Sequence, residues 1–363
     1  MNLSLTYAVK ALAQGLGFHA WGIAPIPDPE AIDSLPLFVQ AYERFLKWLA
    51  EGKHADMNYL AKSADLRAHP HALLPHAKSL LLVLQSYFHT RRPISSIAQY
   101  AWGEDYHIHL RRRLQIIADY LLRHGYAARP FVDTAPILEK AWAVIAGLGW
   151  IAKNTLLIHP KLGSYTFIGG VITTAPLLPD EPFTQDLCGT CQRCIEACPT
   201  KALSPYQLDA RRCIAYWTIE APDLNPQTPD LGEWLFGCDI CQQVCPWNRF
   251  ARPQGELAFR PKAEMFLSRR DWATFSTSHI KKLQQRSALR RTRPEKLRRL
   301  AKRSSRAMDK AWEYEAKALP SMHSRPEPNS TLRPLPLRES DTVDHAVAAQ
   351  SPPPESLAVS PLQ

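Results

Sequence analysis

The sequence predicts a mixed α/β (α+β) N-terminal domain, then a small cysteine-rich domain, then a short basic helical region toward the C-terminus. Three observations carry this. Residues 1–178 alternate apolar patterns of helical and strand period. All 8 cysteines in the 363 residues fall between Cys188 and Cys245. Lys281 to Arg306 holds twelve Lys or Arg against one acid, Glu295. The divisions expected are 1–178, 179–258 and 259–319. A tail, 320–363, has nine prolines and no aromatic residue and is expected to be disordered.

In the first division, Leu3 to Leu16 reads as an amphipathic helix stopped at Gly17, and Phe18 to Ala24 as a short strand. Phe38 to Glu51 is a helix closed by Gly52, with Trp48 and Leu49 on its apolar side. Ser79 to Tyr87 is a continuous apolar run and reads as a central strand. Tyr106 to His124 places Leu110, Leu114, Ile117 and Leu121 on one helical face and ends at Gly125. Ala127 to Val132 is a strand ending at Asp133, Ile137 to Leu148 a helix, and Tyr165 to Thr173 a strand interrupted by Gly169-Gly170. No phosphate-binding loop is present, and Gly15-x-Gly17 follows a helix, so it is not a dinucleotide fingerprint.

The cysteines read Cys188-x2-Cys191-x2-Cys194-x3-Cys198-Pro199, then Cys213, then Cys238-x2-Cys241-x3-Cys245-Pro246. The first run has the bacterial ferredoxin spacing for a four-iron cluster, in which the fourth cysteine ligates the other cluster of a pair. Applied here, that crossover gives cluster 1 to Cys188, Cys191, Cys194 and Cys245. It gives cluster 2 to Cys198, Cys213, Cys238 and Cys241. Zinc favours separated CxxC pairs and leaves the two Cys-x3-Cys-Pro endings unexplained. A disulfide framework would spread along the chain. The expected cofactors are therefore two [4Fe-4S] clusters in a ferredoxin-like domain.

Hydrophobic content of 45% and charged content of 21% are those of a globular protein. The N-terminus has no charged leader before an apolar block, and no apolar run is long enough to span a bilayer, so neither export nor a membrane partner is expected. Thiolate-ligated clusters fit a reducing cytoplasm. The net charge of +10 comes from Lys281–Arg306, which suggests a polyanionic partner, nucleic acid above all.

Clusters only move electrons, so a reaction needs a further site. Asp133, in Phe131-Val132-Asp133-Thr134-Ala135-Pro136, stands at a strand end before a helix, where α/β folds place ligands. Its apolar approach predicts a shielded carboxyl with a raised pKa, able to carry a proton. By pattern alone, Asp133 or Thr134 serves equally well as a helix cap, the commoner role. Lys153-Asn154-Thr155-Leu156-Leu157 and Gly163-Ser164-Tyr165 are candidates to line a pocket, and Tyr216 to Glu220 to pack on a cluster or a flat cofactor. Gly169-Gly170 permits close approach of a ligand or simply tight packing. His69, His71 and His76 are broken up by Pro70 and Pro75 and read as surface residues.

The series FVDTAP, KNTLLI, GSYTFIGG, CGTCQRCIEACPT, Cys213 with AYWTIE, and CDICQQVCPWN resembles the epoxyqueuosine reductases of bacterial tRNA modification, over about residues 5–300. The resemblance implies a cobalamin, cob(II)alamin, in the N-terminal domain beside two [4Fe-4S] clusters. It implies that Asp133 is the proton donor for removal of an epoxide oxygen. Met57, Asp133, Asn154, Leu157, Ser164, Ile168 and Tyr216 would contact the cobalamin. The substrate would be tRNA carrying epoxyqueuosine, with Arg290, Arg291, Arg298 and Arg299 touching its phosphates, and an external low-potential donor would charge the clusters. Many members continue into a helical-repeat module where this chain turns proline-rich. Two other readings of the cysteines exist, a two-cluster electron carrier serving a partner enzyme and a corrinoid dehalogenase. The carrier leaves the first 178 residues without a role, and dehalogenases are commonly exported.

Overall fold

The computed structural model describes residues 1–90 and 95–303. The expected disordered tail, 320–363, and the last part of the basic region lie outside the described residues.

The strands are β1 (Ala20–Pro25), β2 (Ser79–Ser86), β3 (Ala128–Phe131), β4 (Trp150–Ile151), β5 (Leu157–Ile158) and β6 (Thr166–Thr173). Four of them form one sheet in the order β1-β2-β6-β3. The apolar run of β2 is buried along its whole length, and the strand lies inside the sheet as its composition predicts. Every neighbouring pair is antiparallel. This corrects the argument from parallel α/β folds: helices do intervene between the strands, but no two strands that neighbour each other in the sheet run parallel. Ligand placement at the carboxyl ends of parallel strands therefore does not bear on Asp133.

Helices cover both faces of the sheet. Because side chains alternate along a strand, Leu81 and Val83 face one way and Leu80, Leu82 and Leu84 the other. The first set packs on α1 (Leu3–Gly15) and on the helix Tyr106–Arg123. That helix buries Leu110, Leu114, Ile117 and Leu121, the face its spacing predicts. The second set packs on the helices Pro36–Ala50 and Glu139–Ile145 through Phe38 and Trp142. The helix expected over 137–148 is confined to Glu139–Ile145.

Strand β6 runs unbroken through Gly169-Gly170, which pair with Val83 and Leu82. A Cβ on Gly170 would stand 2.4 Å from the Leu81 carbonyl oxygen and 2.6 Å from the Phe131 ring. The glycine therefore serves close packing of three adjacent strands rather than a ligand.

The hairpin of β4 and β5 packs against the cysteine segment through Trp150, Ala152 and Ile158, and the two cysteine runs sit around the short helices Arg193–Glu196 and Ile240–Gln243. Beyond it come the helices Arg269–Thr274, Thr277–Leu283 and Pro294–Lys302. One core joins Ile97, Ala101 and Trp102 to Ile214, Trp217 and Phe236 and to Met265, Trp272, Leu289 and Leu297. The C-terminal helices are thereby seated against the cysteine segment. No helix among the described residues is long and apolar enough to cross a membrane.

Candidate active site and cluster sites

The two cysteine runs lie close to each other in the fold. Cys188, Cys191, Cys194 and Cys245 line one cavity of about 60 Å³, together with Lys153, Asn154 and Trp247. These are the four thiols the crossover rule assigns to cluster 1, and their convergence on one small space is what a cube of iron and sulfide requires. Burial pushes the Cys245 thiol up to about 11, with the neighbouring thiolates of Cys188, Cys194 and Cys191 adding to it. Among the thiols that rule assigns to cluster 2, burial raises Cys213, which also feels Cys198, and raises Cys238, which also feels Cys213 and Cys198. Cys241 is raised by burial and by Cys238 and Cys213. Crowded thiols that resist ionisation alone gain a strong reason to ionise once iron supplies the positive charge.

Asp133 lies elsewhere, on a cavity of about 810 Å³. Tyr59, Tyr100 and Tyr106 form aromatic parts of its wall, and His107, Glu220, Arg290 and Arg291 supply charge. Asp133 is held in the left-handed region, φ 54°, which few non-glycine residues adopt. Its backbone N–H donates to Glu139 Oε1 at 2.7 Å. Its Oδ2 accepts from the Tyr106 hydroxyl at 3.1 Å and Arg291 Nη1 at 3.1 Å, and lies 3.2 Å from His107 Nε2. The other ring nitrogen of His107 sits 2.7 Å from the buried Asp105 carboxylate.

These contacts reverse one expectation. Burial does push the Asp133 carboxyl up, but the His107 hydrogen bond and the Arg291 charge outweigh it, and the pKa falls below the ordinary value. The raised carboxyl of this site is Glu139. Burial drives it to about 8, and the Asp133 charge adds to that. Burial works against the His107 cation, yet the hydrogen bonds to Asp105 and Asp133 lift it to about 9. Neither Asp133 nor Thr134 caps the following helix, whose N-cap is Leu138 without a side-chain bond.

Tyr216 is buried, and its hydroxyl bonds Asp56 beside Met57. Met57 packs against the core that holds Tyr100 and Tyr106. Both adjoin wall residues, Met57 near Tyr59 and Tyr216 near Ile219 and Glu220. Asn154 lines the cluster 1 cavity and also reaches the Cys241 carbonyl at 3.5 Å. Ser164 Oγ donates to Gln242 Oε1 at 3.0 Å, and its N–H donates to Asn248 Oδ1 at 2.7 Å. A Cβ on the preceding Gly163 would meet Asn248 Oδ1 at 2.1 Å. Leu157 and Ile168 pack in the core beneath the sheet rather than on the large cavity.

The four arginines differ from one another. Arg290 pairs with Asp105 at 2.8 Å, and Arg291 bridges Asp133 and Glu220. Arg299 pairs with Asp223 at 2.7 Å on the surface, and Arg298 is half-buried. Lys296 is buried, donates to the Ala221 carbonyl, and falls to about 8 through burial. Among the described residues of the positive segment, Lys296 is thus the buried cation, while most of the others are exposed and several are paired with acids of this chain.

His107, Glu139, Tyr106 and Tyr100 were not singled out from the sequence. Asp105-Tyr106-His107 at a helix start was the one local sign, because Asp105 caps the helix by accepting from His107 N. His69 and His76 are exposed and His71 half-buried, as the sequence suggested.

Comparison with known proteins bears on both sites. The profile described as 4Fe-4S double cluster binding domain matches residues 187–248. The profile described as Epoxyqueuosine reductase QueG, DUF1730 matches residues 67–134. An epoxyqueuosine reductase of Leadbetterella byssophila is 39% identical over 299 residues, which cover 80% of this chain and 95% of the relative. Among solved structures, a selenomethionine-labelled epoxyqueuosine reductase is similar with a TM-score of 0.70 at 27% identity, covering 82% of this chain and 80% of that one. An epoxyqueuosine reductase solved with a tRNA-Tyr epoxyqueuosine-modified stem loop gives 0.66 at 29% identity, with the same coverage.

Proposed function

The chain belongs to the epoxyqueuosine reductase family, and we propose that it is the oxidoreductase that reduces epoxyqueuosine in tRNA to queuosine, the last step in making that nucleoside. The observation that carries this is identity of 39% along nearly the whole length of a relative of that name. Removal of the epoxide oxygen as water takes two electrons and two protons. Cys188, Cys191, Cys194 and Cys245 would hold one [4Fe-4S] cluster and Cys198, Cys213, Cys238 and Cys241 the other, and these would supply one-electron transfer from an external low-potential donor. Cys213 is three residues from Tyr216, and the segment continues to Ile219 and Glu220 on the cavity wall, so cluster 2 is the nearer of the two in the chain.

The cavity, with its tyrosine-rich wall and its size, fits a large flat cofactor. Cob(II)alamin, when bound, supplies the low-valent cobalt chemistry at the substrate's cyclopentane ring. The segments of Met57, Asp133 and Tyr216 would border it, with Asn154, Leu157, Ser164 and Ile168 supporting the pocket from behind. Asp133 protonates the leaving oxygen, so that no alkoxide has to depart. His107, protonated at neutral pH by virtue of its pKa of about 9, stands 3.2 Å from Asp133 Oδ2 and returns a proton to it. Glu139 fixes the backbone of Asp133 through its N–H. Arg290, Arg291, Arg298 and Arg299 make the phosphate contacts, with Arg290 and Arg291 exchanging their internal carboxylates for the incoming anion. A tRNA substrate and thiolate-bound clusters suit the cytoplasm.

The test is anaerobic reconstitution with iron, sulfide and cobalamin, followed by nucleoside analysis of tRNA carrying epoxyqueuosine. About eight irons per chain, a cob(II)alamin absorption band and the appearance of queuosine are expected. Unconverted tRNA in the presence of full cofactor and reductant would remove the reading.

A further inference from the structure

Lys153 is an ammonium in an unusual place. It is 9% exposed, at the tip of the β4–β5 hairpin, and it lines the small cavity with the cluster 1 cysteines. Its Nζ donates to the Gly189 carbonyl at 2.6 Å and the Cys191 carbonyl at 3.1 Å, both in the loop that carries Cys188 and Cys191. Among the described residues it forms no ion pair with a carboxylate, while exposed lysines such as Lys78 do. A cation taken out of water needs a compensating charge, and two carbonyl dipoles supply only part of one. Four thiolates outweigh the positive charge of an iron–sulfur core, so the ligated cluster is an anion.

We propose that Lys153 is the countercharge of cluster 1 and the clasp on its binding loop, and that it sets the potential of that cluster apart from the potential of cluster 2. Reduction adds one electron to the cluster and makes the anion larger. A fixed cation at the cavity wall therefore favours the reduced form and raises the potential, since local charge and hydrogen bonding are what tune such clusters. The neighbouring residue extends the arrangement. Asn154 reaches the carbonyl of Cys241, in the short helix assigned to cluster 2, so one dipeptide of the N-terminal domain touches both cysteine runs. Lys153 carries the charge and faces cluster 1 alone. The consequence is an order of filling: cluster 1 takes the electron from the external donor first.

The inference rests on the assignment of cluster 1 to Cys188, Cys191, Cys194 and Cys245, which the iron content of Cys245→Ser tests separately. The experiment is a potentiometric titration of the reconstituted protein, read by electron paramagnetic resonance, for the parent, Lys153→Gln and Lys153→Arg. With full iron in all three, one of the two cluster signals should move to lower potential in Lys153→Gln and stay near its parent position in Lys153→Arg. Loss of about four irons in Lys153→Gln with retention in Lys153→Arg would equally support a charge that holds the cluster. Full iron with both potentials unchanged in Lys153→Gln would overturn the proposal. So would an equal shift, or an equal loss of iron, in both variants, because shape rather than charge would then be responsible.

Discussion

Replacing Glu139 with glutamine should make the protein more resistant to alkaline pH. Glu139 has a raised pKa of about 8 against an ordinary 4.5. Between those values the unfolded chain gives up the proton and the native chain keeps it, so native stability falls as pH rises through the window. Above about 8 the native carboxyl ionises too and the loss levels off. Each unit of pH inside the window costs about 1.4 kcal/mol, so the two units from pH 6 to about 8 cost about 3 kcal/mol at most, and about 2 kcal/mol once water penetration at a partly exposed residue is allowed for. The substituted amide has no such proton to lose, and its oxygen can still accept the Asp133 N–H. The melting temperature of Glu139→Gln minus that of the parent should therefore grow by about 3 °C from pH 6 to pH 9, given the entropy of unfolding of a chain of this size. Anaerobic thermal melts at a fixed scan rate measure it, and the other titrating groups cancel in the difference. Melting curves that stay parallel across the range would mean that Glu139 ionises at an ordinary pH and that its coupling to Asp133 has been misread.

Three further outcomes follow from the same geometry. Cys245→Ser should empty cluster 1 and Cys198→Ser cluster 2, each leaving about four irons by the crossover rule; loss of the same cluster in both variants, told apart by the remaining magnetic resonance signal, would contradict the pairing. Turnover should decline as pH rises through about 9, where His107 loses its proton, and His107→Gln should be slow at every pH while keeping iron and cobalamin; a parent-like pH profile in that variant would take His107 out of proton delivery. Gly170→Ala should lower stability by about 1–3 kcal/mol through overpacking, seen as a lower melting temperature, because its Cβ meets the Leu81 carbonyl at 2.4 Å.

What could be read from the chain divides along a physical line. Thiolate ligation is short-range and exacting, so the cysteine spacing alone anticipated which four thiols would line the cluster 1 cavity, including Cys245 from the far run. Helix faces obey local periodicity, and Leu110, Leu114, Ile117 and Leu121 are buried together for that reason. The direction of β6 relative to β2 leaves no local mark: apolar strands separated by helices read alike whether they run parallel or antiparallel. Asp133 shows the same limit at the level of chemistry. Its approach is apolar, which argues for a raised pKa, but Arg291, 158 residues away, and His107, 26 residues away, reverse the sign.

That reversal changes how the site should be understood. A carboxylate held below its ordinary pKa is a poor store of protons, yet it is a good final carrier when a stronger store touches it. His107 at about 9 and Glu139 at about 8 are both protonated at neutral pH, one bonded to the Asp133 side chain and the other to its backbone. Arg291 joins His107 in holding Asp133 ionised, and it belongs to the basic segment proposed to meet the nucleic acid. A phosphate that drew Arg291 away would weaken that hold and move the Asp133 pKa upward in the presence of substrate. On the proposed function the positive segment and the acid would act together, since binding the polyanion would favour protonation of the carboxylate beside it.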